Sequence, residues 1–475
     1  FGYKHQTQAS FLLLQVKDSE AARAWLGSVP VNSATSVEPP PETALQLALS
    51  CAGLQALGVA EDIVGAFSAE FVLGLGRDSS QARRLGDVGA NAPERWQWGS
   101  GQRVPHVLVM LYARPGRLAA FQQLIEAQCA NGFEILVTLS TSDMDGIEPF
   151  GFVDGISQPK LDWQRTRAVR DQEQLSYSNL SCLGEYLLGY PNEYGGYTDR
   201  PLLDPQRDPQ ALLPCAEEQP LQADLGRNGS YLVLRQLRQD VHGFWQFVNA
   251  QAAGDAAARE RLAAAMVGRT MQGEPVVAST PDLNTFDYQA DPQGVRCPLG
   301  AHVRRANPRN ADLPSGKPGL FSWLKRTLGL DAHAREQDRV ASTRFHRMLR
   351  RGREYGVPVS IDQALSGVAS SSETGLHFIC LGANLARQFE FVQSAWLAST
   401  RFDGLRHERD PLLGTREPAV DGSPTNEFSL PQAQGPDLRL SGLPQFVTVL
   451  GGAYFFLPGI RALRYLASTR AKGSP

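Results

Sequence analysis

Short apolar runs that break off after one strand's length, each followed by residues with a helical repeat, constrain this chain more than any other feature. Ala9 to Val16, Leu45 to Ser50, Val104 to Ala113 and Phe133 to Ser140 read as strands. Helices are predicted near Ser19 to Leu26, Ala52 to Leu57 and Leu118 to Ala130. The scheme returns later, with strands at Gly229 to Arg235 and Leu376 to Leu381 and a strand pair at Phe446 to Leu450 and Ala453 to Phe456. Its helices are expected at Val241 to Ala252, Asp255 to Val267, Asn384 to Trp396 and Pro458 to Ala467. This alternation predicts an α+β fold, with antiparallel strands and helices over one face.

Two stretches interrupt the scheme. Asp162 to Leu225 is polar and Pro-rich and carries Tyr186, Tyr190, Tyr194 and Tyr197, and Asp312 to Val340 is rich in Gly, Pro and Arg. Connections this long inside a compact protein are usually functional or mobile. The expected organisation is an N-terminal half over 1–160, a linking region over 161–228 and a C-terminal half over 229–475, with an insertion at 310–340.

At 475 residues the chain suits two or three domains of roughly 150 residues each. With 42% hydrophobic and 20% charged residues it can bury a core. A formal net charge of −3 argues against a coat for nucleic acid or an anionic membrane. The apolar runs are far shorter than the ~20 residues a membrane-spanning helix needs. Six cysteines stand singly, without a CxxC pair, which argues against structural zinc or a disulfide scaffold. A reducing, cytoplasmic setting is the expectation. Phe1-Gly-Tyr-Lys-His leads directly into strand-like sequence with no signal-peptide pattern.

Three polar segments stand out. In Phe150-Gly-Phe-Val-Asp154-Gly-Ile-Ser-Gln-Pro159 a carboxylate is followed directly by glycine in a close-approach turn. Read alone, Asp154 is more often a plain turn aspartate. In Cys297-Pro-Leu-Gly-Ala-His302-Val-Arg-Arg-Ala-Asn307-Pro-Arg309 a lone histidine among small residues precedes three arginines, a pattern suited to an axial metal ligand beside anion clamps. Read alone, it is more often a structural histidine. Phe345-His-Arg347-Met-Leu-Arg350-Arg351-Gly-Arg353-Glu-Tyr355-Gly356 would ordinarily be a solvated charge run.

Together these segments resemble one family, the dye-decolourising peroxidases. Gly151 to Gly155 is similar to the family's GxxDG motif, Ala301 to Arg309 to its proximal-histidine block, and Arg350 to Gly356 to its distal-arginine block. Gly375 to Leu381, Phe389 to Trp396 and Gly451 to Pro458 also resemble family blocks, so the likeness runs from about Tyr3 to Ala467. It implies two ferredoxin-like halves, with haem b held mainly by the C-terminal half. It implies a peroxidase that reduces hydrogen peroxide to water and oxidises phenolic, dye-like or other aromatic donors through a ferryl Compound I. His302 would be the iron ligand, with Asp410 as the acid beside its other nitrogen, although Asp410 before Pro411 reads equally well as a turn residue. Asp154, in a small dry site, and Arg350 would meet peroxide. Arg309 would hold a haem propionate, with Arg304 a second clamp. Leu376 and Phe378 would face the haem while His377 points away. Bulky dyes would be oxidised at the surface, through Tyr355 or Trp396.

The family block carries Pro where this chain has Glu354. The segment at 310–340 also looks long and is expected to restrict access to the pocket. A haem carrier or sensor would use the same His302 and clamps without turnover, and a haem-free scaffold of ferredoxin-like halves would use none of them. A carrier needs neither Asp154 nor Arg350, so this pair favours the enzyme. Homo-oligomers are compatible with this sequence.

Overall fold

The computed structural model describes residues 3, 5–35, 37–165, 179–277, 282–309, 342–367 and 373–468. The expected insertion at 310–340 lies outside the described residues, as do 166–178 of the linking region.

Strand β1 (Gln8–Val16) leads into helix α1 (Ser19–Ser28), which starts where the Asp18 carboxylate accepts from Ala21 N at 2.8 Å. Strand β2 (Thr43–Leu49), strand β3 (Val107–Ala113), helix α2 (Leu118–Cys129) and strand β4 (Phe133–Ser140) complete the first half. The second half opens with strand β5 (Ser230–Gln239) and helices α3 (Val241–Gln251) and α4 (Ala256–Val267). Asp240 and Asp255 cap these helices through Gly243 N and Ala258 N. A short helix α5 (His302–Ala306) and strands β6 (Leu349–Arg350), β7 (Arg353–Tyr355) and β8 (Gly375–Gly382) follow. Strand β9 (Val447–Leu457) and helix α6 (Ile460–Ser468) close the described chain. Among the described residues no helix is long and apolar enough to cross a membrane.

The strands form one nine-stranded antiparallel sheet in the order β6-β8-β5-β9-β2-β3-β1-β4, with β7 also on β8. Only Leu49 with Phe456 joins β2 to β9, so the sheet is two antiparallel halves linked by one ladder pair. This is the α+β, ferredoxin-like architecture expected.

Burial on both faces explains why the strands other than the edge strand β4, where Ile135 is exposed, read as unbroken apolar runs. Along β1, Leu12 and Leu14 face the core under the helices, while Phe11 and Leu13 join Leu108, Leu232, Ile379 and Phe455 in a second core. That second core belongs to both halves. The sheet curls until β1 meets β8, and Phe11 packs edge-on against His377 at 5.9 Å. Helices cover the outer face of each half, and the other half covers the inner one.

Two expected elements differ. Phe446 to Leu450 and Ala453 to Phe456 are one strand, not a pair, with a register shift between Val449 and Gly451. The glycines there make no turn. A Cβ on Gly451 would lie 2.5 Å from the Trp98 ring, so the missing side chain admits the indole. Asn384 to Trp396, expected as a single helix, forms two wide π-helical segments, Ala386–Glu390 and Val392–Leu397.

Candidate active site

A cavity of about 270 Å³ opens on the outer face of the C-terminal half. Its sheet wall is built from Leu237 and Gln239 on β5, Leu376 and Phe378 on β8, and Val447 and Val449 on β9. These residues alternate along their strands, so a single face of the sheet supplies the apolar surface. His377, between Leu376 and Phe378, faces the inner core, stacks on Tyr355 at 4.5 Å and shares a 3.0 Å hydrogen bond from Nε2 with Ser140 O. Burial pushes its pKa down to about 4.

His302 enters the cavity from the first residue of α5. Its Nδ1 lies 2.9 Å from Asp410 Oδ2, and the other Asp410 oxygen accepts from Leu412 N and Leu413 N. The carboxylate is thereby fixed, which sets Nδ1 as the protonated nitrogen and leaves Nε2 for the cavity. Burial disfavours the imidazolium, but the Asp410 charge and hydrogen bond outweigh it and raise the His302 pKa. Burial likewise lifts Asp410, and the His302 charge and the donors around it hold its carboxyl below the ordinary range.

Residues 146–154 form a narrow hairpin closed by Asp154 N to Gly146 O at 2.9 Å and Glu148 N to Phe152 O at 2.8 Å. Its aromatic residues lock onto α3. Trp245 Nε1 donates to Phe150 O, the Phe152 and Trp245 rings lie parallel, and Phe150 packs on Phe244. Asp154 lines the cavity from the end of this hairpin and is exposed there, not enclosed in the dry site expected. Arg350, half-buried on β6, lines the same cavity. Its guanidinium donates to Ser157 O and, at 3.4 Å, to Met348 O, and its amide donates to Gln158 Oε1. The arginine is thus tied to the segment that carries Asp154.

The two expected clamps are elsewhere. Arg309 is fully buried and donates to Asn284 O, Phe286 O and Ser157 Oγ, with its guanidinium 3.7 Å from the Phe286 ring. Arg304 donates to Cys297 O, pairs with Asp291 at 3.3 Å and covers the Tyr288 ring. Neither lines the cavity; both hold the loop of residues 284–297 against α5. Tyr355 is 7% exposed, which places it in the core and not at the surface. Trp396 is half-buried against His346 and Phe391 and lines a smaller pocket beside Arg350. Glu354 simply continues β7, where its carbonyl accepts from Ser142 N.

Four charged residues of the cavity escaped the sequence reading: Asp87 and Arg235, which pair with each other, and Arg269 and Glu148. Arg269, just past α4, donates from Nη1 to Gly273 O and Leu283 O, while its buried Nη2 has no hydrogen-bond partner among the described residues. Burial, with Arg309 and Arg350 nearby, pushes its pKa down to about 10. Glu148 accepts from Phe150 N, Phe152 N and Gln239 Nε2, and burial lifts its pKa to about 7. Arg269 and Glu148 follow or precede turn residues, and no spacing signal marks either.

Comparison with known proteins places this geometry in a family. The model for the C-terminal region of Dyp-type peroxidases matches residues 207–410. A multifunctional dye peroxidase of Amycolatopsis sp. is 30% identical over 398 residues, 79% of this chain and 74% of that protein. A solved variant of the decolorizing peroxidase from Auricularia auricula-judae is 25% identical, with a TM-score of 0.72 over 98% of this chain and 97% of its own. A dye-decolorizing peroxidase solved in complex with 2,6-dimethoxyphenol has a TM-score of 0.70 at 24% identity, over 98% of this chain and 97% of its own. The chain belongs to the Dyp-type, dye-decolorizing peroxidases and is an oxidoreductase of the peroxidase class.

Proposed function

We propose that the protein is a haem b peroxidase that reduces hydrogen peroxide to water while oxidising small aromatic donors. The observation that carries this reading is a single cavity holding a carboxylate-supported imidazole, His302 with Asp410, together with Asp154 and Arg350.

The cavity residues fit haem. His302 would ligate iron through Nε2, with Asp410 keeping the proton on Nδ1. Leu376, Phe378, Val449 and Leu413 offer apolar contact to a macrocycle, and the unpartnered Nη2 of Arg269 suits a propionate carboxylate. Bound there, haem supplies a redox centre that takes two oxidising equivalents from peroxide and passes them on singly. Asp154 accepts the proton from the first peroxide oxygen and returns it to the departing one, general acid–base work typically worth ~10²–10⁴-fold. Arg350, always charged, offsets the negative charge that gathers on the departing oxygen. Phenols are the proposed donors, supported by the relative that holds 2,6-dimethoxyphenol.

Titration of the protein with haem tests this reading. A saturable Soret band that His302→Ala weakens or shifts, and oxidation of 2,6-dimethoxyphenol only when peroxide is present, are the expected results. Absence of the band, or oxidation without peroxide, would overturn it.

A further inference from the structure

The hairpin that presents Asp154 has an unusual interior. Its turn, Glu148-Pro-Phe-Gly-Phe152, contains a buried-side acid whose two oxygens serve different amides. Oε2 accepts from Phe150 N and Oε1 from Phe152 N, each at 3.1 Å. The main chain already closes this turn through Glu148 N to Phe152 O and Gly151 N to Glu148 O, both at 2.8 Å. The carboxylate therefore does more than close it. It satisfies two amides that the aromatic residues around them would otherwise leave unpaired, and an unmet buried donor costs on the order of 1–3 kcal/mol.

The same carboxylate leaves the hairpin. Oε2 also accepts from Gln239 Nε2 at 2.8 Å, which ties the turn to the last residue of β5 in the cavity wall. The aromatic contacts to α3 fix one side of the hairpin, and the Glu148–Gln239 bond fixes the other. Asp154 is bonded by its own amide to Gly146 O at the open end of this device. Its carboxylate is exposed, with no side-chain partner among those described that would set its position. Its placement over the cavity has to come from the hairpin.

We propose that Glu148 is a positioning residue for Asp154, holding the hairpin against β5 so that the Asp154 carboxylate reaches peroxide. The inference rests on the role given to Asp154 above. A misplacement near 1 Å can cost on the order of 10²-fold in rate.

A double-mutant cycle on the haem-loaded protein tests it, read as the rate of the Soret change on mixing with hydrogen peroxide. Glu148→Ala is expected to slow that rate roughly tenfold to a hundredfold, with haem affinity unchanged. In an Asp154→Ala background the same substitution is expected to have no further effect, because the group it positions is gone. Equal slowing in both backgrounds would make Glu148 a plain stability residue and overturn the proposal. No slowing by Glu148→Ala, with Asp154→Ala slow, would overturn the positioning role alone. An unchanged rate for Asp154→Ala would overturn the reading of Asp154 and this inference with it. Should Glu148→Ala fail to fold, Glu148→Gln carries the same cycle, since it keeps one acceptor oxygen and should slow the reaction less.

Discussion

Each charged side chain in this molecule is decided by what surrounds its end group, and sequence spacing reports that unevenly. Asp154, His302 and Arg350, each of which reads alone as a structural or solvated residue, came forward only because their motifs together resemble one family, and all three line one cavity. Arg304 and Arg309 belong to the same block, yet their guanidinium groups turn inward to carbonyls of residues 284, 286 and 297. A run of arginines does not encode direction. Glu148 was invisible for the converse reason: an acid before proline reads as a turn, and its partner Gln239 is 91 residues away. His377 gives a prediction at this scale. Its folded pKa of about 4 lies below the unfolded ~6.5, so the unfolded chain binds the extra proton first and stability falls as pH drops through that window. The loss should approach about 3 kcal/mol by pH 4. His377→Gln, which can still donate to Ser140 O, should flatten that part of the stability–pH curve. A curve unchanged by the substitution would contradict the assignment. Asp410→Ala should destabilise the protein by ~3–5 kcal/mol, since it strands both His302 Nδ1 and two backbone amides. Denaturant midpoints compare it with wild type.

Among the elements, the long apolar strands were legible to within a few residues, because burial on both faces leaves continuous apolar runs whatever covers them, whereas β6 and β7 were hidden in what read as a solvated charge run. What covers the long strands was not legible. The inner face of each half meets the other half through contacts such as Phe11 with His377, and no local pattern encodes a contact between residues so far apart in the chain. The break expected at Gly451 failed for a similar reason. Glycine marks a turn or a close approach equally well, and here the approach is the Trp98 indole. Gly451→Ala should therefore cost ~1–3 kcal/mol by overpacking, seen as a lower thermal midpoint. A neutral substitution would mean that the indole can move aside.

For the whole molecule, the site depends on both halves. The Asp154 hairpin comes from the end of the first, while His302, Arg350 and the sheet wall come from the second. Neither half alone supplies all the residues that line the cavity. Arg269 is the test of the proposed propionate contact. Arg269→Leu should weaken haem affinity roughly tenfold to a hundredfold, as expected for losing a charge-assisted hydrogen bond, in a titration followed at the Soret band. Unchanged affinity would move the propionate contact to another residue.

The most direct measurement is stopped-flow absorbance of the haem-loaded protein mixed with hydrogen peroxide, for wild type, Asp154→Ala and Arg350→Leu. The account predicts a rapid Soret change in wild type and a rate lower by on the order of 10²-fold or more in each variant. A wild-type spectrum that does not respond to peroxide, or variants that respond as fast as wild type, would contradict it.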